Sequence, residues 1–303
     1  MNKQIDIIGI PLDLGANLRG ACMGPAAIRI AELHTKLKAL DLEVFDRGDI
    51  YVPIRETLEK PDIKHNFRSI IINTANALAQ IVENSLKNEH LPICIGGDHS
   101  LALGSIAGVS KFYRDQNKSF GLIWVDAHAD INTYETSPTG NIHGMPLAAL
   151  LGLGDPDLTK IYGFCPKIKA ENVVIIGIRT LDGQEKITCR NSGIKYFTMR
   201  EVDERGMSSI AKEAVDHISK KCSAIHLSLD IDSIDPLYAP GVSTPETGGL
   251  SYREAHLLLE IIADSKKLVS MDIAELNPAK DIDNKTSRLA VELIQSALGK
   301  SII

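Results

Sequence analysis

Four short blocks of the chain bring carboxylates and imidazoles together at spacings that suit metal ligation. They are Asp98 and His99 in GGDHS, Asp126, His128 and Asp130 in DAHAD, Asp230, Asp232 and Asp235 in DIDSIDP, and Asp272 and Glu275 in DIAELNP. Side chains two apart on an extended segment point the same way, so Asp126, His128 and Asp130 can share one face, and so can Asp230 and Asp232. Carboxylates gathered this closely raise one another's pKa and resist ionising unless cations sit among them. Asp126, Asp130, Asp230 and Asp232 carry the charge that balances two divalent ions, while His99 and His128 add neutral nitrogen donors. A set rich in hard oxygen, with some imidazole and no thiolate, favours Mn²⁺ over structural zinc, with Co²⁺, Fe²⁺ or Ni²⁺ as alternatives. Two such ions about 3.5–4 Å apart can share a hydroxide that is nucleophilic near neutral pH. Hydrolysis is the chemistry to expect.

Each block follows an apolar run: LPICI, FGLIWV, AIHLSL and KLVSM. These belong to eight candidate strands, at 4–10, 42–46, 91–95, 120–125, 172–178, 194–197, 224–229 and 267–273. Several, such as VVIIGI, are apolar on consecutive residues, as strands covered on both faces are. Stretches of helical period lie between them at 25–39, 65–88, 101–115, 199–220, 252–264 and 284–298. Two of these open with capping boxes, Thr198 to Glu201 and Ser251 to Glu254. The alternation predicts an α/β fold on a mainly parallel sheet, and such sheets place their ligand crevice at the carboxyl ends of the strands, where the four blocks fall. The glycines of GGDH lack a GxGxxG or Walker pattern and read as a sharp turn that aims His99. No linker or repeat divides the sequence, so a single catalytic domain over 1–303 is expected.

The composition, 44% hydrophobic and 24% charged, excludes disordered and fibrous classes. A net charge of -6 argues against nucleic acid, whose phosphates need a basic face. The five cysteines are scattered and form no CxxC pair, as thiols of a reducing compartment do. The N-terminus has no signal h-region, and no run approaches the roughly 18 apolar residues of a membrane helix. A cytoplasmic protein without membrane contact is the expectation.

From GIPLDLGANLRGACMGPAAIR through IGGDHSLALGS, LIWVDAHADIN and SLDIDSIDPLYAPGVSTPETGG to MDIAELNP, the chain resembles the ureohydrolase family and, within it, the arginase branch. The resemblance implies a three-layer α/β/α fold around an eight-stranded parallel sheet, a Mn²⁺ pair, and hydrolysis of L-arginine to L-ornithine and urea by a metal-bridging hydroxide. It implies that His99 and Asp130 bind one ion, His128 and Asp232 the other, and Asp126 and Asp230 both. Asp130 would also accept a hydrogen bond and then a proton from the nucleophile. His143, in GNIHGMP, resembles the family's proton-shuttle histidine, and Glu275 the carboxylate that engages the guanidinium. Asn132, Thr139 and Asn141 match positions that hold the substrate α-carboxylate, Asp182 and Glu185 those that recognise its α-amino group, and Thr244 lies near the guanidinium or Glu275. Thr139 stands where serine is common, and Gly183 and Gln184 depart from the family's usual residues. A homo-oligomer, trimeric or hexameric, is also implied.

Other readings stand beside this one. Agmatinase or another guanidino hydrolase would differ in the substrate tail. A one-metal deacetylase of the same fold would not need the second ligand set, and a scaffold or amino-acid sensor would not need Asp130, His143 and Glu275. Among the remaining residues, Asp98, Asp235 and Asp272 read as turn or cap aspartates. His226 reads as a satisfied core histidine, and His34, His65, His90, His217 and His256 as surface or helix-face residues.

Overall fold

The structure, a computed structural model, describes residues 3–58 and 67–301. Its strands are β1 (Gln4–Gly9), β2 (Glu43–Asp49), β3 (Leu91–Ile95), β4 (Phe120–Val125), β5 (Val173–Ile178), β6 (Lys195–Thr198), β7 (Ala224–Asp230) and β8 (Leu268–Ala274). They form one sheet in the order β2-β1-β3-β8-β7-β4-β5-β6, and every neighbouring pair is parallel. Every residue of β3, β4, β5 and β7 is buried, as in strands covered on both faces; β3, β4 and β5 are unbroken apolar runs, whereas β7 also buries His226, Ser228 and Asp230. The four strands that lead into the chemistry-bearing blocks, β3, β8, β7 and β4, lie side by side at the centre of the sheet.

Eleven α-helices are present among the described residues: α1 (Gly24–Ile30), α2 (Leu33–Lys38), α3 (Arg68–Lys87), α4 (Ala102–Asp115), α5 (Pro146–Leu151), α6 (Pro156–Thr159), α7 (Gly183–Ser192), α8 (Met199–Arg205), α9 (Met207–Ser219), α10 (Tyr252–Asp264) and α11 (Lys285–Ala297). One apolar layer joins the sheet to α1, α2, α8, α9, α10 and α11, and a second joins its other face to α3, α4 and α5. No helix of the described residues is long and apolar enough to cross a membrane.

The helices differ from the periodicity in instructive places. The 199–220 stretch breaks at Gly206, whose φ of 77° is open to glycine without strain. The 25–39 stretch breaks at Glu32, which takes φ 69° and carries no breaker signal in its type. Helices α5 and α6 lie in sequence that reads as loop, each announced by a proline in its first turn. Helix α7 opens on a third capping box, Asp182 to Glu185, in residues whose match to a ligand-recognition motif drew attention from their helix-starting pattern. The 65–88 stretch begins helically at Arg68, and His65 lies outside the described residues.

Strand β1 is pinned at a buried carboxylate. Asp6 accepts from Ser85 Oγ at 2.6 Å and Arg47 Nε at 2.9 Å, and meets His90 Nδ1 at 3.0 Å. Burial pushes the Asp6 pKa up, but the bonds from Ser85, His90 and Arg47 outweigh it and hold the group below its ordinary 3.8. A carboxylate with a depressed native pKa contributes stability above its unfolded pKa and loses it as pH falls through the native one. Asp6→Asn is therefore expected to lower stability by about 1–3 kcal/mol at pH 7. Thermal melts should show the gap between the two proteins closing below about pH 4; a gap independent of pH would contradict the assignment.

Candidate active site

Each ligand candidate is delivered by a break at the carboxyl end of a central strand. After β3 the chain turns at Gly96 and Gly97, with φ of 85° and 81°. A Cβ on Gly96 would lie 2.2 Å from Pro25 Cδ, and one on Gly97 2.6 Å from the Ile10 carbonyl, so only glycine passes here. Asp98 then accepts from Ser100 N–H at 3.1 Å, capping the short turn His99–Leu101, and from Gly15 N–H at 2.7 Å. Asp126 follows β4 and accepts from His128 N–H at 2.7 Å. Asp230 ends β7 and accepts from Asp232 N–H at 2.7 Å. Asp130 and Glu275 both hold left-handed backbone, φ 49° and 61°, a conformation that costs an ordinary residue about 1–2 kcal/mol. Such strain concentrates at functional sites.

These breaks gather the side chains. His99 Nδ1 lies 3.0 Å from Asp230 Oδ2, 3.1 Å from Asp130 Oδ2 and 3.2 Å from Asp126 Oδ2. His128 Nδ1 lies 3.1 Å from Asp232 Oδ2 and 3.4 Å from Asp126 Oδ1. Two ligand groups result, His99 with Asp126 and Asp230, and His128 with Asp126 and Asp232, in each of which the donor atoms lie within 4.8 Å of one another. Asp126 faces both groups with opposite oxygens. Asp230 belongs to the His99 group, and Asp130 stands beside it.

The donor set fits metal ions. His99 Nδ1 is fully buried, finds no aligned hydrogen-bond partner among the described residues, and points at three carboxylate oxygens. Its other nitrogen meets Ser228 Oγ at 2.9 Å, which fixes the ring, and its face stacks on Trp124 with centroids 4.0 Å apart. Trp124 Nε1–H also donates to Asp126 Oδ2 at 2.9 Å. The pKa values pull apart as crowded charges require. Burial and neighbouring carboxylates push Asp230 well up, and burial and Asp126 push Asp130 up to about 6. Asp126 itself is held low, since His128 and His99 outweigh its burial. Both imidazoles are raised, against burial, by the aspartates around them.

Beside these candidate ligands lies a cleft of about 160 Å³, lined among others by His128, Asp130, Asn132, His143, Glu185, Thr244 and Glu275. Glu275 Oε1 accepts from His99 N–H and meets His143 Nδ1, both at 2.9 Å, while the buried Oε2 finds no partner among the described residues. Burial opposes a charged His143, yet Glu275, followed by Asp98 and Asp130, raises its pKa to about 9. Thr244 Oγ1 donates to Asp232 Oδ2 at 2.9 Å, beside the ligands. Asn132 Nδ2 donates to Asp182 Oδ2 at 2.8 Å, so Asp182 stands behind the lining. Asp182 Oδ1 takes the N–H groups of Gln184 and Glu185, and Glu185 Oε2 takes that of Asp182. Burial and Asp130 push Glu185 up to about 7. Thr139, which is exposed, and Asn141, which is buried, do not line the cleft; Asn141 N–H donates to Thr139 Oγ1 at 3.2 Å.

Two expectations need correction. Asp272 is neither turn nor cap residue: it lies inside β8, accepts from Ser105 Oγ at 2.7 Å, and meets His226 Nε2 at 3.0 Å. His256 is buried, with Nδ1 2.8 Å from Ser296 Oγ. His226 is the satisfied core histidine expected, with Ser270 Oγ at 2.7 Å from its other nitrogen, and Asp235 is the turn aspartate expected, taking three N–H groups. Ser228 and Trp124 escaped the sequence reading. Trp124 sits two residues before Asp126 and Ser228 two before Asp230, so alternation along the strand leading into each ligand candidate would have found them. All five cysteines are free thiols.

A model of the Arginase family matches residues 3–299. The chain is 46% identical to an arginase of Brevibacillus brevis over the full length of both. The solved arginase structure from Bacillus caldovelox superposes with a TM-score of 0.95 at 45% identity, covering 99% of this chain and 100% of that one. An arginase from Entamoeba histolytica, solved in complex with L-ornithine, matches with a TM-score of 0.90 at 31% identity, again over 99% and 100%.

Proposed function

The chain belongs to the arginase family, a family of hydrolases, and from that premise we propose that it converts L-arginine and water to L-ornithine and urea. The observation that carries the reading is two ligand groups meeting at Asp126, in one cleft with the His143–Glu275 pair. We assign His99, Asp130 and the shared Asp126 and Asp230 to one ion, and His128 and Asp232 with the same shared pair to the other. Mn²⁺ suits the oxygen-rich donors best. When bound, such a pair would lower the pKa of water and so supply a nucleophile near neutral pH.

The chain's own residues supply the rest. Glu275 Oε2, buried and unpaired, receives the cationic guanidinium by a charge-assisted hydrogen bond. Asp130 takes a proton from the attacking water. The guanidinium carbon gains the water oxygen, Asp130 returns its proton to the chain nitrogen as the bond from carbon to that nitrogen breaks, and the proton left on the new hydroxyl moves to the released amine, giving urea and the ornithine ammonium. His143, its Nδ1 held by Glu275, exchanges that proton with solvent through Nε2. We assign the α-carboxylate to Asn132 in the cleft, with Thr139 and Asn141 outside its lining, and the α-amino group to Glu185 in the cleft, with Asp182 behind Asn132. We further take the whole chain to act as one catalytic domain, in the cytoplasm and as a homo-oligomer.

A polar contact that a truncated substrate cannot make leaves the site's buried polar groups unpaired, which discriminates strongly. The expected result is a kcat/KM for L-arginine about 10²-fold or more above that for agmatine. Asn132→Ala should erode the arginine value and leave agmatine almost unchanged. Equal turnover of both would turn the reading toward a guanidino hydrolase of another tail.

A further inference from the structure

Arg179, the first residue after β5, spends its guanidinium in an unusual way. Nε donates to the Thr247 carbonyl at 3.2 Å. Nη1 donates to the carbonyls of Ser233 and Gly177, at 3.1 and 3.4 Å, and Nη2 to those of Asp232 and Glu246, at 2.6 and 2.8 Å. All five acceptors are backbone oxygens, drawn from the end of β5, the turn after β7 and the 246–247 loop. Gly249 leaves the room, since a Cβ there would lie 2.6 Å from Nη2. The neighbouring Thr180 holds the same loop from its other side, its Oγ1 donating to Glu246 Oε2 at 2.9 Å.

What the loop does next is aimed at one ligand group only. Thr244 Oγ1 reaches Asp232 Oδ2 at 2.9 Å, and Glu246 Oε1 faces His128 Nε2 at 4.0 Å. Asp232 is held through its own carbonyl by Arg179 as well. His99 and Ser228, by contrast, receive nothing from Arg179 or this loop among the described residues, and Asp230 meets the network only through the N–H of Asp232. We propose that Arg179 is a positioning residue for the second metal group, fixing Asp232 and the 244–247 loop so that His128 and Asp232, with the shared Asp126 and Asp230, hold their ion. The inference rests on the two-ion reading above. A planar fork of five donors spans the three segments, and lysine, a point charge with three donors, cannot replace it.

The test is Mn²⁺ binding by equilibrium dialysis on the full-length protein, with electron paramagnetic resonance to report whether two ions are coupled. Arg179→Lys is expected to keep one equivalent at the wild-type affinity, to bind the other about 10–100-fold more weakly, and to lose the coupled spectrum at intermediate metal. In a His128→Asn background, where the second group is already broken, the same change should leave the remaining affinity unaltered. Thr180→Val, which preserves shape and removes only the bond to Glu246, should weaken the same equivalent by a smaller factor and serves should Arg179→Lys fail to fold. Retention of both affinities, loss of both together, or an effect that persists in the His128→Asn background would overturn the inference. Fewer than two equivalents bound by the unsubstituted protein would overturn the two-ion reading itself, and this inference with it.

Discussion

Asp126→Ala is expected to lower kcat/KM for arginine at least about 10³-fold, the largest effect of any single change in this chain. Among the described residues Asp126 belongs to both candidate ligand groups, so its removal damages both. The consequences for the fold run two ways. Trp124 Nε1–H and His128 N–H lose their acceptor, and a buried unsatisfied donor costs about 1–3 kcal/mol. Against that, Asp130 and Asp230 lose a like charge that pushes their pKa values up. The metal-free variant should therefore melt within several degrees of the wild type. The rise in melting temperature on adding metal, which mass action guarantees for an ion bound only by the native state, should collapse. A variant that keeps its metal-dependent rise and its urea release would contradict the assignment.

Glu275→Gln is expected to have the second largest effect, a loss of about 10²–10³-fold in kcat/KM with both KM and kcat moving. Glutamine keeps an oxygen for His99 N–H, so the backbone turn survives. It lacks the charge that faces His143 and that the proposed mechanism uses to receive the guanidinium. His143 supplies a second readout. Burial works against its charged form, and Glu275 is the largest influence raising its pKa to about 9. A histidine raised in the native state contributes stability that is full below its unfolded pKa of 6.5 and is lost as pH rises through about 9. In metal-free Glu275→Gln, the His143 imidazole resonance should titrate at lower pH than in the metal-free wild type. An unchanged titration would mean that Glu275 does not hold it.

The parallel sheet was legible because β3, β4 and β5 are unbroken apolar runs, and β7, which buries His226, Ser228 and Asp230 among its apolar residues, still opens directly into a chemistry-bearing block. The ligand candidates were legible because each block directly follows a strand run, although the chain breaks there instead of alternating: Asp130 takes φ 49° and Asp232 lies in the short turn Ile231–Ser233. What escaped depends on partners far away in sequence. Arg179 gains its importance only when the turn after β7 and the 246–247 loop fold around it. Asp272 looks like a strand-end turn residue until His226 and Ser105 are seen to surround it. Asp182 and Glu185 carried two messages at once, a capping box and a match to a recognition motif, and the residue types alone favour neither. The break at Glu32 has no local cause in the residue itself.

The central claim is that arginine hydrolysis needs two ions held across Asp126. Titrating the metal-free protein with Mn²⁺ while following urea release from L-arginine tests it most directly. Activity should climb to a plateau at two equivalents per chain. A plateau at one equivalent, or urea release from the metal-free protein, would contradict it.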